Sequence, residues 1–189
     1  MITIPEETIK EAACGDMAAF EEIYRASRGY VFSVAYRITG TRHDAEEVTQ
    51  DVFLKVHRKL GSFAFKSAFS TWLYRIAANT AINLYRKVSK ERNRTCPFDE
   101  EIGTGNCGEE KETDFQENER NEENEKLVRS MLELLPEGQR ACVVLKDIEG
   151  LKYEEVASAL GINLNTVRSR LSRAREKLIS VYGKGGQRP

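Results

Sequence analysis

The 189-residue chain has little of what usually staples or interrupts a fold. Four prolines leave long stretches free to stay helical, and Ala, Leu, Glu, Arg and Lys fill them. Cys14, Cys96, Cys107 and Cys142 are scattered with no C-x-x-C pair, and His43 and His57 are remote from them. Reduced thiols are therefore expected, and a zinc site has no support. No run of 18 apolar residues exists, so no membrane insertion is expected. The opening MITIPEETIKEAACGD lacks the basic stretch and apolar core of a signal peptide, which points to the cytoplasm. A catalytic dyad and a phosphate loop are also missing, since GKGG at 183–186 follows no strand. The expectation is a protein that is not an enzyme and needs no metal or cofactor.

Charge is abundant, and its sum misleads. The net charge is −1, which taken alone argues against nucleic acid. Residues 1–95 carry 15 Lys+Arg against 11 Asp+Glu, net +4. Residues 96–125 carry 2 against 12, net −10, and residues 126–189 carry 12 against 7, net +5. Two basic bodies are joined by an acidic strap.

The stretch Tyr153–Leu178 has the pattern of a helix-turn-helix. Val156, Ala157 and Leu160 make one apolar stripe, Gly161 stands where a helix must stop, and Asn163 can N-cap the second helix. Val167, Leu171, Ala174 and Leu178 then form an inward face at i, i+4, i+7 and i+11. Arg168, Arg170, Arg173, Arg175 and Lys177 line the other faces, with Ser169 and Ser172 between them. A major groove accepts one helix, whose N-terminal residues meet base edges while flanking cations meet phosphates. Arg168, Ser169 and Ser172 are placed for bases, and Arg170 and Arg173 for phosphates, each worth about one released counterion. A solvated basic surface helix is the plainer alternative.

The N-terminal part reads as helices throughout. A short one covers about Glu6–Ala13. Asp16 caps a long one with Phe20, Ile23, Tyr24, Val31 and Val34 or Ala35 on its buried stripe, ended by Gly40. Thr41 or Asp44 opens the next, through about Leu60, with Ala45, Val48, Val52, Phe53 and Val56 inward. Ser67 or Ser70 starts a third through about Arg92, with Trp72, Leu73, Ile76, Ala77, Thr80 and Leu84 as its spine. Residues 93–124 hold few apolar side chains and much charge, the composition of a flexible linker that turns helical near its end. Helix resumes at about Asn124–Leu135, stops at Pro136 and restarts at about Gly138–Ile148.

Two strings in this part are more specific than composition. DAEEVTQDVFLKVHRKLGSF (44–63) presents Glu46, Glu47, Gln50 and Asp51 on an outer face that suits a basic partner helix. SAFSTWLYRIAANTAINLYRK (67–87) carries Trp72, Tyr74, Arg75, Asn79, Asn83, Tyr85, Arg86 and Lys87 behind a loop with Phe63, Phe65, Lys66 and Phe69. Aromatics, amides and cations together suit unpaired bases. Plainer readings stand beside these: Trp72, Phe63 and Phe69 as core, and Asn79, Asn83, Gln50 and Asp51 as solvated surface.

With both constellations in view, the chain resembles an extracytoplasmic-function sigma factor of bacterial RNA polymerase, in the sigma-70 family. VTQDVFLKV, FSTWLYRIAANTAIN and TVRSRLSRARE, in this order and separation, carry the resemblance. It covers about Asp16–Lys87 as the sigma-2 region and about Lys126–Tyr182 as the sigma-4 region. It implies an all-α fold of two small domains, a sigma-2 helical bundle (1–92) and a sigma-4 helix-turn-helix domain (125–183), with an acidic linker (93–124) between them and a tail (184–189). It implies that Glu47, Gln50, Asp51, Phe53 and Leu54 dock on core polymerase. It implies that Phe63, Ala64, Phe65, Lys66, Ser67, Asn79, Asn83 and Arg86 read the −10 element and hold a flipped base. Lys152, Tyr153, Arg168, Ser169, Arg170, Ser172 and Arg173 would read −35. The implied partners are core RNA polymerase, promoter DNA and an anti-sigma factor, with a monomer when free or a 1:1 complex with the anti-sigma factor. Where relatives often have Pro-x-Gly before Thr-Val, this chain has Asn163-Leu164-Asn165. The alternative is a conventional helix-turn-helix regulator binding an operator as a dimer; it leaves the aromatic and amide segment 61–92 without a job.

Overall fold

The structure, a computed structural model, describes residues 4–95 and 118–182. Most of the expected linker, the expected tail, Cys96 and Cys107 lie outside the described residues. Eight α-helices make up the described chain, with one 3₁₀ turn, one π-turn and no strand among these residues.

The N-terminal bundle holds α1 (Glu6–Ala13), α2 (Met17–Thr39), α3 (Arg42–Lys59), a 3₁₀ turn (Leu60–Ser62) and α4 (Phe69–Thr95). Its boundaries follow local chemistry. The Asp16 carboxylate accepts the Ala18 and Ala19 N–H groups, two donors with no partner inside the helix. Gly40, at φ 86°, takes the left-handed position that closes α2. The Thr41 hydroxyl then accepts the Asp44 N–H and opens α3. At the other end of α3, His57, Arg58 and Lys59 place cations where the helix dipole favours them. Ile23, Val31, Val34 and Ile38 of α2, Val48, Val52 and Val56 of α3, and Leu73, Ala77 and Ala81 of α4 are all but fully buried. These residues recur at helical spacing, so each helix turns one apolar stripe inward.

The C-terminal bundle holds α5 (Asn118–Glu133), α6 (Glu137–Val143) running into a π-turn (Val144–Ile148), α7 (Tyr153–Leu160) and α8 (Leu164–Tyr182). Gly161, at φ 63°, makes the turn between α7 and α8. Asn163 caps α8 by accepting both the Thr166 N–H and its hydroxyl. The inward face of α8 is Val167, Leu171 and Ala174, with Leu178 half-buried. On α7 the fully buried pair is Val156 and Ala159, while Ala157 and Leu160 stay half-buried. The stripe is thus turned about one residue from its expected position, because α7 also packs against α4.

One boundary differs from expectation: α4 runs to Thr95, into the start of the segment expected as linker, whereas the helix α5 from Asn118 falls at its end, where helix was expected. Glu and Arg are strong helix formers whatever their solubility, which composition-based reading of disorder ignores. The π-turn was not expected. Its register shows in the Glu149 N–H donating to Val144 O, five residues back.

The two bundles meet. α4 packs along α7, and α2 lies against the π-turn, so the buried apolar residues of both bundles form one continuous cluster. Among the described residues, no helix is long and apolar enough to cross a membrane, and no group of three His, Cys, Asp or Glu side chains is placed to hold a metal.

Candidate nucleic-acid interface

The recognition helix α8 presents its expected residues unevenly. Arg168, Ser169, Ser172 and Arg173 are exposed on one side of the helix. Arg168 and Arg173 have no hydrogen-bond or ion-pair partner among the described residues. The Ser169 hydroxyl donates to Thr166 O and the Ser172 hydroxyl to Glu176 Oε1, which leaves both oxygens able to accept. Arg170 turns inward. Its guanidinium lies so close to Gly138 that a Cβ there would stand 3.0 Å from Nη1, and it acts electrostatically on the buried Cys142 thiol. Burial pushes the Cys142 thiol up, with Arg170 opposing. Arg175 is drawn off to Asp147 at 2.7 Å. Lys152 caps α7 through its N–H, which donates to Glu155 Oε2, and keeps its side chain in solvent. Tyr153 is half-buried beneath the Lys146 ammonium.

The second constellation is split between a loop and a helix. In the loop, Phe63 is buried and packs on Phe69 and Trp72, the core role that the plainer reading gave it. Ala64, Phe65, Lys66 and Ser67 are exposed. Phe65 holds φ 54°, a position that a bulky residue rarely adopts. It is braced by Phe63 at 4.7 Å between ring centroids and by the Lys10 ammonium above its ring. Strain of this kind collects at functional segments.

On α4, Asn79, Asn83 and Arg86 share one face, at i, i+4 and i+7. Asn83 is exposed. Asn79 Nδ2 donates to Arg75 O at 2.8 Å within its own helix and to Ala159 O of α7 at 2.9 Å. Arg86 Nε donates to Glu137 Oε1 at 3.2 Å, again across the bundles.

On α3, Glu47, Gln50, Asp51 and Leu54 are exposed and fall on one stripe at i, i+3, i+4 and i+7. Leu54 is 56% exposed, unusual for a leucine without a partner. Phe53 stands behind this stripe rather than on it. It is 6% exposed and packs edge-on against Tyr24.

Sequence reasoning missed a set of residues between the bundles. Glu149, delivered by the π-turn, accepts from Arg37 Nη1 at 3.1 Å and from the Tyr74 hydroxyl at 2.9 Å. Burial, and then the Glu149 carboxylate, push the Tyr74 phenol well above the usual tyrosine range. Arg140, 3% exposed, donates to Glu133 O and Leu135 O in its own bundle and to Ile38 O at the end of α2, with Tyr85 against its guanidinium. Three carbonyls at two helix ends take the terminal nitrogens of a cation that has no acidic partner there, while its Nε is buried without a hydrogen bond among the described residues. The Thr71 hydroxyl donates to the second Glu155 oxygen. The one available signal was Arg140 at the head of the apolar run ACVVL.

Comparison with known proteins gives a match in each bundle. The sigma-70 region 2 family model matches residues 23–91, and the sigma-70 region 4 model matches residues 125–178. The chain is 34% identical over 183 residues to the ECF RNA polymerase sigma factor SigE of Mycolicibacterium smegmatis, covering 95% of this chain and 69% of that protein. It is 38% identical over 169 residues to the ECF RNA polymerase sigma-E factor of Escherichia coli, covering 87% and 86%. Among solved structures, CnrH in complex with the cytosolic domain of CnrY superposes with a TM-score of 0.65 at 27% identity, covering 94% of this chain and 96% of CnrH. The sigma factor RpoE of Bartonella quintana, solved with the anti-sigma factor NepR, shares the fold at a TM-score of 0.63 and 24% identity, covering 87% and 96%. The chain belongs to the sigma-70 family, among the ECF RNA polymerase sigma factors.

Proposed function

We propose that the chain gives bacterial RNA polymerase its promoter specificity through two readers and one docking stripe. Residues 1–92 act as the sigma-2 domain and 125–183 as the sigma-4 domain, with 93–124 as the connecting strap and 184–189 as a tail. Arg168, Ser169 and Ser172 meet −35 base edges, and Arg173 meets phosphate. Phe65, Lys66, Asn79, Asn83 and Arg86 meet the opened −10 strand, while Glu47, Gln50, Asp51 and Leu54 dock on core polymerase. The protein has no catalytic step of its own and works where the polymerase is, in the cytoplasm. CnrH was solved with the cytosolic domain of CnrY and the Bartonella RpoE with the anti-sigma factor NepR, which supports a 1:1 anti-sigma complex here.

The observation that carries this reading is the exposed, unpaired pair Arg168 and Arg173 on a helix-turn-helix, in one chain with the exposed acidic and amide stripe on α3. Each module is small, and a single small module binds weakly at physiological salt, so the free protein should show little specific DNA affinity. Run-off transcription with core polymerase, with and without the protein, tests the whole. Transcription only in its presence is expected; tight operator binding without core enzyme would restore the free-standing regulator. Asn79→Ala tests the −10 face: it should weaken transcription and leave core binding intact, and unchanged transcription removes that assignment.

A further inference from the structure

We propose that α1 braces the −10-reading loop and that Lys10 is a positioning residue for −10 recognition. Its ammonium holds the Phe65 ring, so that residues 64–67 have their shape before DNA arrives. This rests on the assignment of that loop to the −10 element.

Phe65 holds a backbone conformation that its own chemistry disfavours. Among the described residues it alone combines a side chain with positive φ, 54°. A Cβ crowds the left-handed region, and a phenyl ring offers none of the local hydrogen bonds that let Asn or Asp occupy it. Its neighbours Ala64, Lys66 and Ser67 are exposed. The contacts that hold it fall on its ring. Phe63 lies 4.7 Å away between centroids and is itself packed on Phe69 and Trp72. The Lys10 ammonium lies 5.5 Å from the centroid of the Phe65 ring. The first contact is local to the loop, and the second is brought by a different helix.

Helix α1 is seated so as to deliver that ammonium. Thr8, Ile9 and Ala12 are buried, which fixes the helix on the bundle. Its C-terminal end meets the 3₁₀ turn that leads into the loop, where a Cβ on Gly61 would stand 3.5 Å from Ala13 O. Glu6, one turn before Lys10, pairs with it at 2.7 Å and so restricts where its ammonium can reach. All of α1 lies before residues 23–91, the stretch that matches sigma-70 region 2.

Two plainer roles fit Lys10 less well. Both side chains of the Glu6–Lys10 pair are more than half exposed, and such pairs contribute little to stability. A lysine already paired with a carboxylate has little charge left to neutralise a phosphate. An exposed cation over an aromatic ring, by contrast, shifts an equilibrium by about two- to fivefold, enough to bias a loop between two shapes. Phe65 stays 40% exposed with Phe63 and Lys10 in place, so part of its ring remains free to stack on an unpaired base.

The test uses the full-length protein with core polymerase and a promoter that the natural chain transcribes, its −10 element randomised and the bound DNA sequenced. Lys10→Gln should lower the preference for the favoured −10 base by about two- to fivefold, and Lys10→Arg, which keeps a cation over the ring, should retain it. Glycine adopts positive φ freely and has no ring, so Lys10→Gln should be silent in a Phe65→Gly background. In the free protein, Lys10→Gln should move the fluorine resonance of a fluorophenylalanine at position 65 and leave the melting temperature unchanged. An unmoved resonance, an unchanged −10 preference, or an equal loss in the Phe65→Gly background overturns the proposal. A uniform loss on every −10 sequence with a smaller salt slope makes Lys10 a phosphate contact and overturns it as well. Failure of the underlying −10 assignment shows separately: Phe65→Gly alone would then leave the −10 preference untouched, while Lys10→Gln still moves the resonance.

Discussion

The two reading faces of this molecule are in opposite states. On α8, Arg168 and Arg173 stand in solvent with no partner among the described residues. On α4, Asn79 and Arg86 are each bonded to the other bundle. The difference follows from what each face must recognise. Duplex DNA has its shape before the protein arrives, so its reader gains from being preformed and open. An unpaired strand exists only after melting, so its reader loses little by having some of its donors engaged within the protein. A face rich in amides and aromatics is also a hazard when left open, since it accepts many partners.

The largest effect expected is on the scaffold of the open face. Leu171, 1% exposed, should cost about 2–5 kcal/mol when cut to alanine. Because the buried apolar residues run continuously through both bundles, urea denaturation should show one transition. Two separate transitions, only one of them moved by Leu171→Ala, would mean the bundles do not share a core.

Next comes specificity on the open face. Arg168→Ala should lose about 1–3 kcal/mol at one −35 base pair, measured by competition between promoter variants for holoenzyme. Equal loss on every sequence would recast Arg168 as a phosphate contact.

Arg170 and Arg173 should differ by less, but in a telling way. Arg173→Ala should reduce the salt slope of promoter binding by about 0.9. Arg170→Ala should leave that slope alone, since its guanidinium is lodged against Gly138 and Cys142. Equal slopes for the two variants would place Arg170 back on the DNA.

The smallest effect concerns pH and Tyr74. The Tyr74 phenol is raised by burial and by Glu149. A tyrosine whose folded value lies above its unfolded value, about 10, contributes stability that is fully present below that pH and lost as pH rises through the folded value. The packing of Tyr74 against Glu149 should therefore survive to about pH 10 and weaken only above it. Absorbance at 295 nm should show one late phenol among the seven tyrosines, absent in Tyr74→Phe. Common titration of all seven near pH 10 would mean that Tyr74 is not buried against α7's bundle.

What the sequence announced was local. Asp16, Gly40, Thr41, Gly161 and Asn163 each act on backbone groups within a few residues, so their helices begin and end where expected. The inward stripes of α2, α3 and α8 were legible for the same reason, since periodicity is a property of one helix. The two candidate faces were legible as residue types. Their states were not. Glu149 and Arg140 look like ordinary surface charges until a helix of the other bundle is set beside them, and no local pattern encodes that pairing. Arg170 read as a phosphate cation because helical spacing tells which side a residue occupies, not whether a glycine on α6 makes room for its guanidinium.

The π-turn at Val144–Ile148 carries a consequence for how this protein can change. An α-helix advances about 100° per residue, and a π-turn absorbs one extra residue without breaking the helix. Deleting a single residue between 144 and 148 and restoring ordinary winding would leave Glu149 on about the same side, since the wider turn is what absorbs the extra residue. The helix-turn-helix downstream would remain intact. The π-turn thus lets this segment carry one more residue than an unbroken helix would while Glu149 still meets Arg37 and Tyr74.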